Sequence, residues 1–171
     1  IPWIKLIAVT GSVASYSATI NSDIDIFVIT QKNRVWMSRF FSWIILKMLN
    51  KGPASNGDPL EFCTNLFMDE HRLTWKKNKR NLYKAYSIMS MQPIVNKDNM
   101  YLNFLRANKW INGYFANFYY ENPTDKTFKE PVNKLMDVLE DSFYKFQKFY
   151  MRKKITTENV SKHIIHFNKN D

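Results

Sequence analysis

Residues 4–30 read IKLIAVTGSVASYSATINSDIDIFVIT, and the order of strand-like and turn-like stretches in this segment decides the fold. Ile4 to Thr10 is a short β-branched run that ends at Gly11, which predicts a strand. Ser12 to Thr19 is small and polar, with room for two helical turns. Asn21 and Ser22 mark a turn. Asp23 to Thr30 is the clearest strand in the chain, because Ile24, Ile26, Val28 and Ile29 give it the apolar character of a buried strand.

Outward from this segment, Val35 to Leu49 has a helical pattern with apolar residues on most faces. Lys51 to Pro59 holds two glycines and two prolines and reads as a loop. Leu60 to Met68 predicts a third strand. Arg80 to Met91 reads as a helix, Pro93 to Val95 as a short extended piece, and Asn99 to Tyr120 as an aromatic-rich helical stretch. Glu121 to Thr127 has the composition of a linker. Glu130 to Lys154 is the longest helical pattern, with Leu135, Val138, Leu139, Phe143, Phe146 and Tyr150 at three- and four-residue intervals. The tail from Thr156 predicts one more short helix. The expected fold is therefore α/β (α+β): a small mixed sheet over residues 1–97, then a helical C-terminal region over residues 98–171. A strand-like run this close to Ile1 predicts that the core begins ahead of this numbering.

Composition narrows the class. The 171 residues are 45% hydrophobic and 16% aromatic with 4 glycines and 6 prolines, which excludes fibrous and disordered classes. The formal charge of +10, from 25 Lys and Arg against 15 Asp and Glu, favours phosphate-bearing partners. The charge is spread along a Lys- and Asn-rich chain, so composition alone accounts for it equally well. Cys63 is the single cysteine; no internal disulfide is available, and a reducing, cytoplasmic location is expected. The most apolar stretch, Val35 to Leu49, is broken by Ser38, Arg39, Ser42 and Lys47 and is shorter than the ~20 residues of a membrane span. Walker, zinc-cluster and nucleophile-elbow motifs are absent.

Chemistry concentrates between Gly11 and Asp25. A glycine after a strand permits a positive φ or close backbone approach, and Ser12 then sits where backbone N–H groups and a hydroxyl can hold a phosphate. Asp23 and Asp25, two apart on a strand, point to one side roughly 7 Å apart. They can share one or two divalent ions. Mg²⁺ suits such a site, since it takes oxygen ligands and is completed by substrate phosphates. Each signal alone is weak: Gly-Ser turns are common, and two aspartates can simply keep a sheet edge soluble. Order, spacing and strand context together are specific.

The segment VTGSVASYSATINSDIDIFVIT resembles the signature of nucleotidyltransferases of the DNA polymerase beta superfamily, in particular the minimal nucleotidyltransferase domains of bacteria and archaea. The likeness is close over Ile4 to Thr30 and loose over Leu60 to Met68. It implies that Gly11 and Ser12 bind a nucleoside triphosphate and that Asp23 and Asp25 ligate Mg²⁺. It implies transfer of a nucleoside monophosphate, from ATP by expectation, to a hydroxyl acceptor with release of pyrophosphate. RNA ends, small molecules and protein side chains all serve as acceptors in the superfamily, and the sequence does not choose among them. The family also carries a third carboxylate on a neighbouring strand. Glu61 is the acid inside the third strand but lies near its start, and Asn65, on the same face as Glu61 and Cys63, can stand at the expected position instead. An amide is no base, so the alternative is a catalytically weak or inactive module that binds RNA or a protein partner.

Other features are less specific. Arg80 and Lys84, one helical turn apart and preceded by Lys76, Lys77 and Lys79, are assigned to the nucleotide as a cationic wall; the ordinary alternative is a solvated face. Tyr83 and Tyr86 can stack on a base, although core packing is the simpler expectation. The aromatics between Tyr101 and Tyr120 read as core or interface. His163 and His166, three apart, have a spacing that suits a metal. With no third ligand near them in sequence, a surface or packing role is expected.

Overall fold

The computed structural model describes residues 1–49, 62–118, 133–152 and 159–166. The expected loop at 51–59, the linker at 121–127, Glu61 and the side chain of Asn65 lie outside the described residues. Among the described residues, six strands form one sheet: β1 (Ile4–Thr10), β2 (Ile24–Thr30), β3 (Phe62–Asp69), β4 (Gln92–Asn96), β5 (Asn159–Val160) and β6 (Ile164–His166), in the order β4-β1-β2-β3-β6-β5. The β2–β3 pair is parallel and the others are antiparallel. Among the described residues, five α-helices accompany them: α1 (Gly11–Ala14), α2 (Val35–Met48), α3 (Leu82–Met89), α4 (Met100–Ala107) and α5 (Lys134–Met151).

β2 is central, and its near-continuous apolar run follows from that position, since both of its faces are covered. Phe27 and Ile29 join one core with Leu6, Ala8 and Met68, closed by Ala85 and Ile88 of α3 and Phe104 and Leu105 of α4. Ile26 and Val28 point the other way, into a second core with Phe67, Ile165, Val35, Trp36 of α2 and Met151 of α5. The right place for α2 is dictated by the parallel β2–β3 pair, which requires a crossover.

α5 secures α2 through buried polar groups. The start of α2 has no side-chain cap of its own. Glu140, fully buried, accepts from the N–H groups of Trp36 at 2.7 Å and Met37 at 3.0 Å. Gln147 donates to the Trp36 carbonyl at 2.7 Å, and Arg34 donates to Asp137 at 2.6 Å.

Three expectations change. α1 is a single turn, not two; Tyr16 with φ 56° breaks the run. The expected tail helix is instead the β5–β6 hairpin, and β6 pairs antiparallel with β3 along Leu66–His166 and Met68–Ile164. The reason is tertiary: β3 offers an open backbone edge, and IIH is β-branched enough to fill it. On α5, Leu135, Val138, Phe146 and Tyr150 are exposed, so the apolar periodicity does not mark the face packed on α2.

Candidate active site

β1 and β2 run antiparallel, with Thr10 opposite Asp25. β1 therefore delivers its last residue, and the turn after it, beside the first residues of β2. Gly11 takes φ +68°, and a Cβ there would lie 2.3 Å from Asp25 Oδ2. The glycine is required twice, by the left-handed backbone and by the carboxylate that fills the room a side chain would need. A cleft opens at this end of the sheet, lined by Thr10, Gly11, Asp25, Tyr83, Lys84 and Ser87, with the apolar Leu66, Ile88 and Met91 and, beside its strand partner Leu66, His166.

Of the expected cationic wall, α3 brings Lys84 alone to the cleft lining. Asn81 caps it by accepting from the Lys84 N–H at 2.9 Å, which fixes the helix register and turns Lys84 and Ile88 inward. Lys84 is buried, and Tyr83 and Tyr86 are exposed. The expectation that these tyrosines pack in the core does not hold, and Tyr83 stands at the cleft with its ring available for stacking. Arg80 does not line the cleft. Its Nε donates to the Trp75 carbonyl at 3.1 Å, and its guanidinium lies 5.5 Å over the Trp110 ring.

Of the two aspartates, Asp25 lies within β2 and lines the cleft. Asp23 precedes the strand, is exposed, and does not line the cleft. Ser12 sits in α1, its carbonyl accepting from the Ser17 N–H at 2.9 Å. On β3, Cys63 pairs with Asp25, and the register then shifts before Leu66 pairs with Phe27. Strict alternation along β3 is broken at this point, and it had been the basis for placing Glu61, Cys63 and Asn65 on one face. His166 was missed as a cleft residue. Its signal in the sequence is the apolar Ile164-Ile165 pair before it, once that pair is read as strand.

In donor chemistry the site fits a hard cation: the Asp25 carboxylate offers oxygen ligands in a cleft open to phosphate oxygens. Residues 2–86 match the family of the nucleotidyltransferase domain. This segment of the chain is a nucleotidyltransferase domain. The match spans β1 through most of α3, and thus Gly11, Asp23, Asp25 and Lys84 of this nucleotidyltransferase. Nucleotidyltransferases of this family act on nucleoside triphosphates and generally use divalent metals. A comparison with curated protein sequences finds no match. Among solved structures, a toxin–antitoxin crystal structure with AMP-PNP is similar at 13% identity and TM-score 0.32, over 90% of this chain and 85% of that one. Among the described residues of the nucleotidyltransferase, no helix is long and apolar enough to cross a membrane.

Proposed function

We propose that this nucleotidyltransferase moves a nucleoside monophosphate from ATP to a hydroxyl acceptor in the cleft between β2 and α3. The observation that carries the reading is the convergence of the Asp25 carboxylate, the Gly11 turn and the buried Lys84 on that cleft, inside the family-matched segment. Backbone N–H groups at Gly11 and Ser12 and the ammonium of Lys84 hold the triphosphate, and Tyr83 stacks on the base. Asp25, with Asp23 just ahead of β2, would hold Mg²⁺, which would neutralise phosphate charge. The acceptor oxygen attacks the α-phosphorus in line, the bond to the bridging oxygen breaks, and pyrophosphate leaves.

The proton of the acceptor hydroxyl needs a receiver. Glu61, where it rather than Asn65 fills the family's third-acid position, and the His166 imidazole in the cleft are groups that can serve. The pairing of Cys63, not a carboxylate, with Asp25 favours a second reading, a module that binds nucleotide and turns over slowly.

The experiment is pyrophosphate release from each of the four nucleoside triphosphates with Mg²⁺ and candidate acceptors. Asp25→Asn is expected to abolish release while the fold persists. Of Glu61→Gln and His166→Gln, the variant that removes the proton acceptor drops turnover by about 10²–10⁴-fold with little change in nucleotide affinity. Binding of Mg-ATP that is intact in Asp25→Asn sinks the reading.

A further inference from the structure

Outside the cleft, Asp69, His71 and His163 converge. Asp69 closes β3, pairs with Thr30, and is wholly buried. Thr30 lies five residues along β2 from Asp25, a rise of about 16 Å. Because 25 and 30 differ by an odd number, the cluster also lies on the opposite face of the sheet, with Phe67 and Ile165. It is a separate place from the cleft.

The geometry at Asp69 is unusual for a plain hydrogen-bond acceptor. Its Oδ1 accepts from the His71 N–H at 2.9 Å, and its Oδ2 accepts from the Asn33 N–H at 2.9 Å. On the same Oδ2 converge the Nδ1 atoms of His163 at 2.8 Å and of His71 at 3.5 Å. One ligand atom from each of the three residues lies within 4.8 Å of the others. The imidazole rings stand 4.9 Å apart at 51°. Metal–nitrogen and metal–oxygen bonds of about 2.0–2.2 Å put tetrahedral ligands about 3.4 Å apart. The three residues approach that spacing as they stand. His71 and His163 are 42% and 35% exposed, so an ion can enter from solvent and keep a water as its fourth ligand.

From this geometry we propose that Asp69, His71 and His163 bind a divalent transition-metal ion, Zn²⁺ by ligand type. Two imidazoles and one carboxylate select the borderline-soft ions over Mg²⁺. The ion joins the end of β3 to the β5–β6 turn, 92 residues onward from His71, where the Asp69 N–H already donates to the His163 carbonyl at 3.2 Å. It fixes the hairpin that carries His166 into the cleft, and so couples a structural metal to the shape of the active site without entering the chemistry.

The test uses the full chain after chelator treatment, titrated separately with Zn²⁺, Co²⁺ and Mg²⁺. One equivalent of Zn²⁺ should bind and raise the Tm, and Co²⁺ should give the visible d–d bands of a low-coordinate site. His71→Gln and His163→Gln, which keep a hydrogen-bonding amide toward Asp69 and so separate lost ligation from lost folding, should each weaken Zn²⁺ binding at least tenfold. Asp25→Asn should leave it intact. Zinc binding that is absent, that survives both histidine variants, that is lost instead in His166→Ala or Cys63→Ser, or that Mg²⁺ matches overturns the proposal.

Discussion

Gly11 holds a backbone φ of +68° and gives its side-chain space to the Asp25 carboxylate. In Gly11→Ala the left-handed backbone costs about 1–2 kcal/mol, and a Cβ 2.3 Å from Oδ2 forces the carboxylate aside. Urea unfolding should show the stability loss. Mg-nucleotide binding should fall further than stability does, since the proposed metal ligand itself is displaced. Lys84 makes the complementary case. Its buried position means that Lys84→Met keeps the packed stem and removes the ammonium together with the interaction it makes in the fold. Triphosphate affinity measured by calorimetry should drop at least tenfold, at about 1.4 kcal/mol per decade. A variant that binds ATP normally would remove Lys84 from the nucleotide site.

At the scale of elements, the α2–α5 contact rests on Glu140. Burial pushes its carboxyl above the ordinary value of 4.5, against the pull of the Trp36 and Met37 N–H groups and of Arg34. The folded state then holds the proton more tightly than the unfolded chain. Its share of stability is full below about pH 4.5 and is lost as pH rises through the raised pKa. Glu140→Gln should flatten that slope, which is read as the wild-type minus variant difference in unfolding free energy across pH. Glu140→Ala orphans two buried N–H groups and should cost on the order of 2–5 kcal/mol by chemical denaturation. Nothing in the pattern of Glu130 to Lys154 announced this. Helical periodicity was legible, but the buried face is set by partners on α2 that the 3.6-residue rule does not see. β1 and β2, by contrast, were readable to within a residue, because their apolar runs, the glycine between them and the Asp-Ile-Asp start are all local signals. His163 and His166 show the limit most clearly. Three apart on a helix they would share a side; here His163 sits in the bend just before β6 and reaches Asp69, while His166 ends β6 and lines the cleft. The carboxylate that His163 meets lies 94 residues earlier, where sequence spacing carries no information.

For the whole molecule, the sheet is closed by its latest strands. Removing residues 159–171 takes away β6, uncovers the Leu66–Met68 edge of β3, and strips His166 from the cleft. Exposed apolar edges pair with one another. The shortened chain should elute from size exclusion as larger species and melt at lower temperature, and its residual monomer should release no more pyrophosphate than His166→Gln. A monomer as stable as the parent would mean that β6 is ornamental. Both halves of the cleft are thus tied to long-range contacts: Gly11 and Asp25 to the β1–β2 pair, His166 to the β3–β6 pair.

That pairing has a consequence during synthesis. Leu66 leaves the ribosome 100 residues before His166, its partner across the sheet. At about 5–20 residues per second, β3 waits roughly 5–20 s with one side open. Throughout that interval the nascent chain carries a sticky, unzipped border and an active cleft short of one wall. Ribosome-bound chains halted before residue 159 should therefore be held by a chaperone that recognises extended apolar segments, and should be released from it once Ile164 and Ile165 emerge.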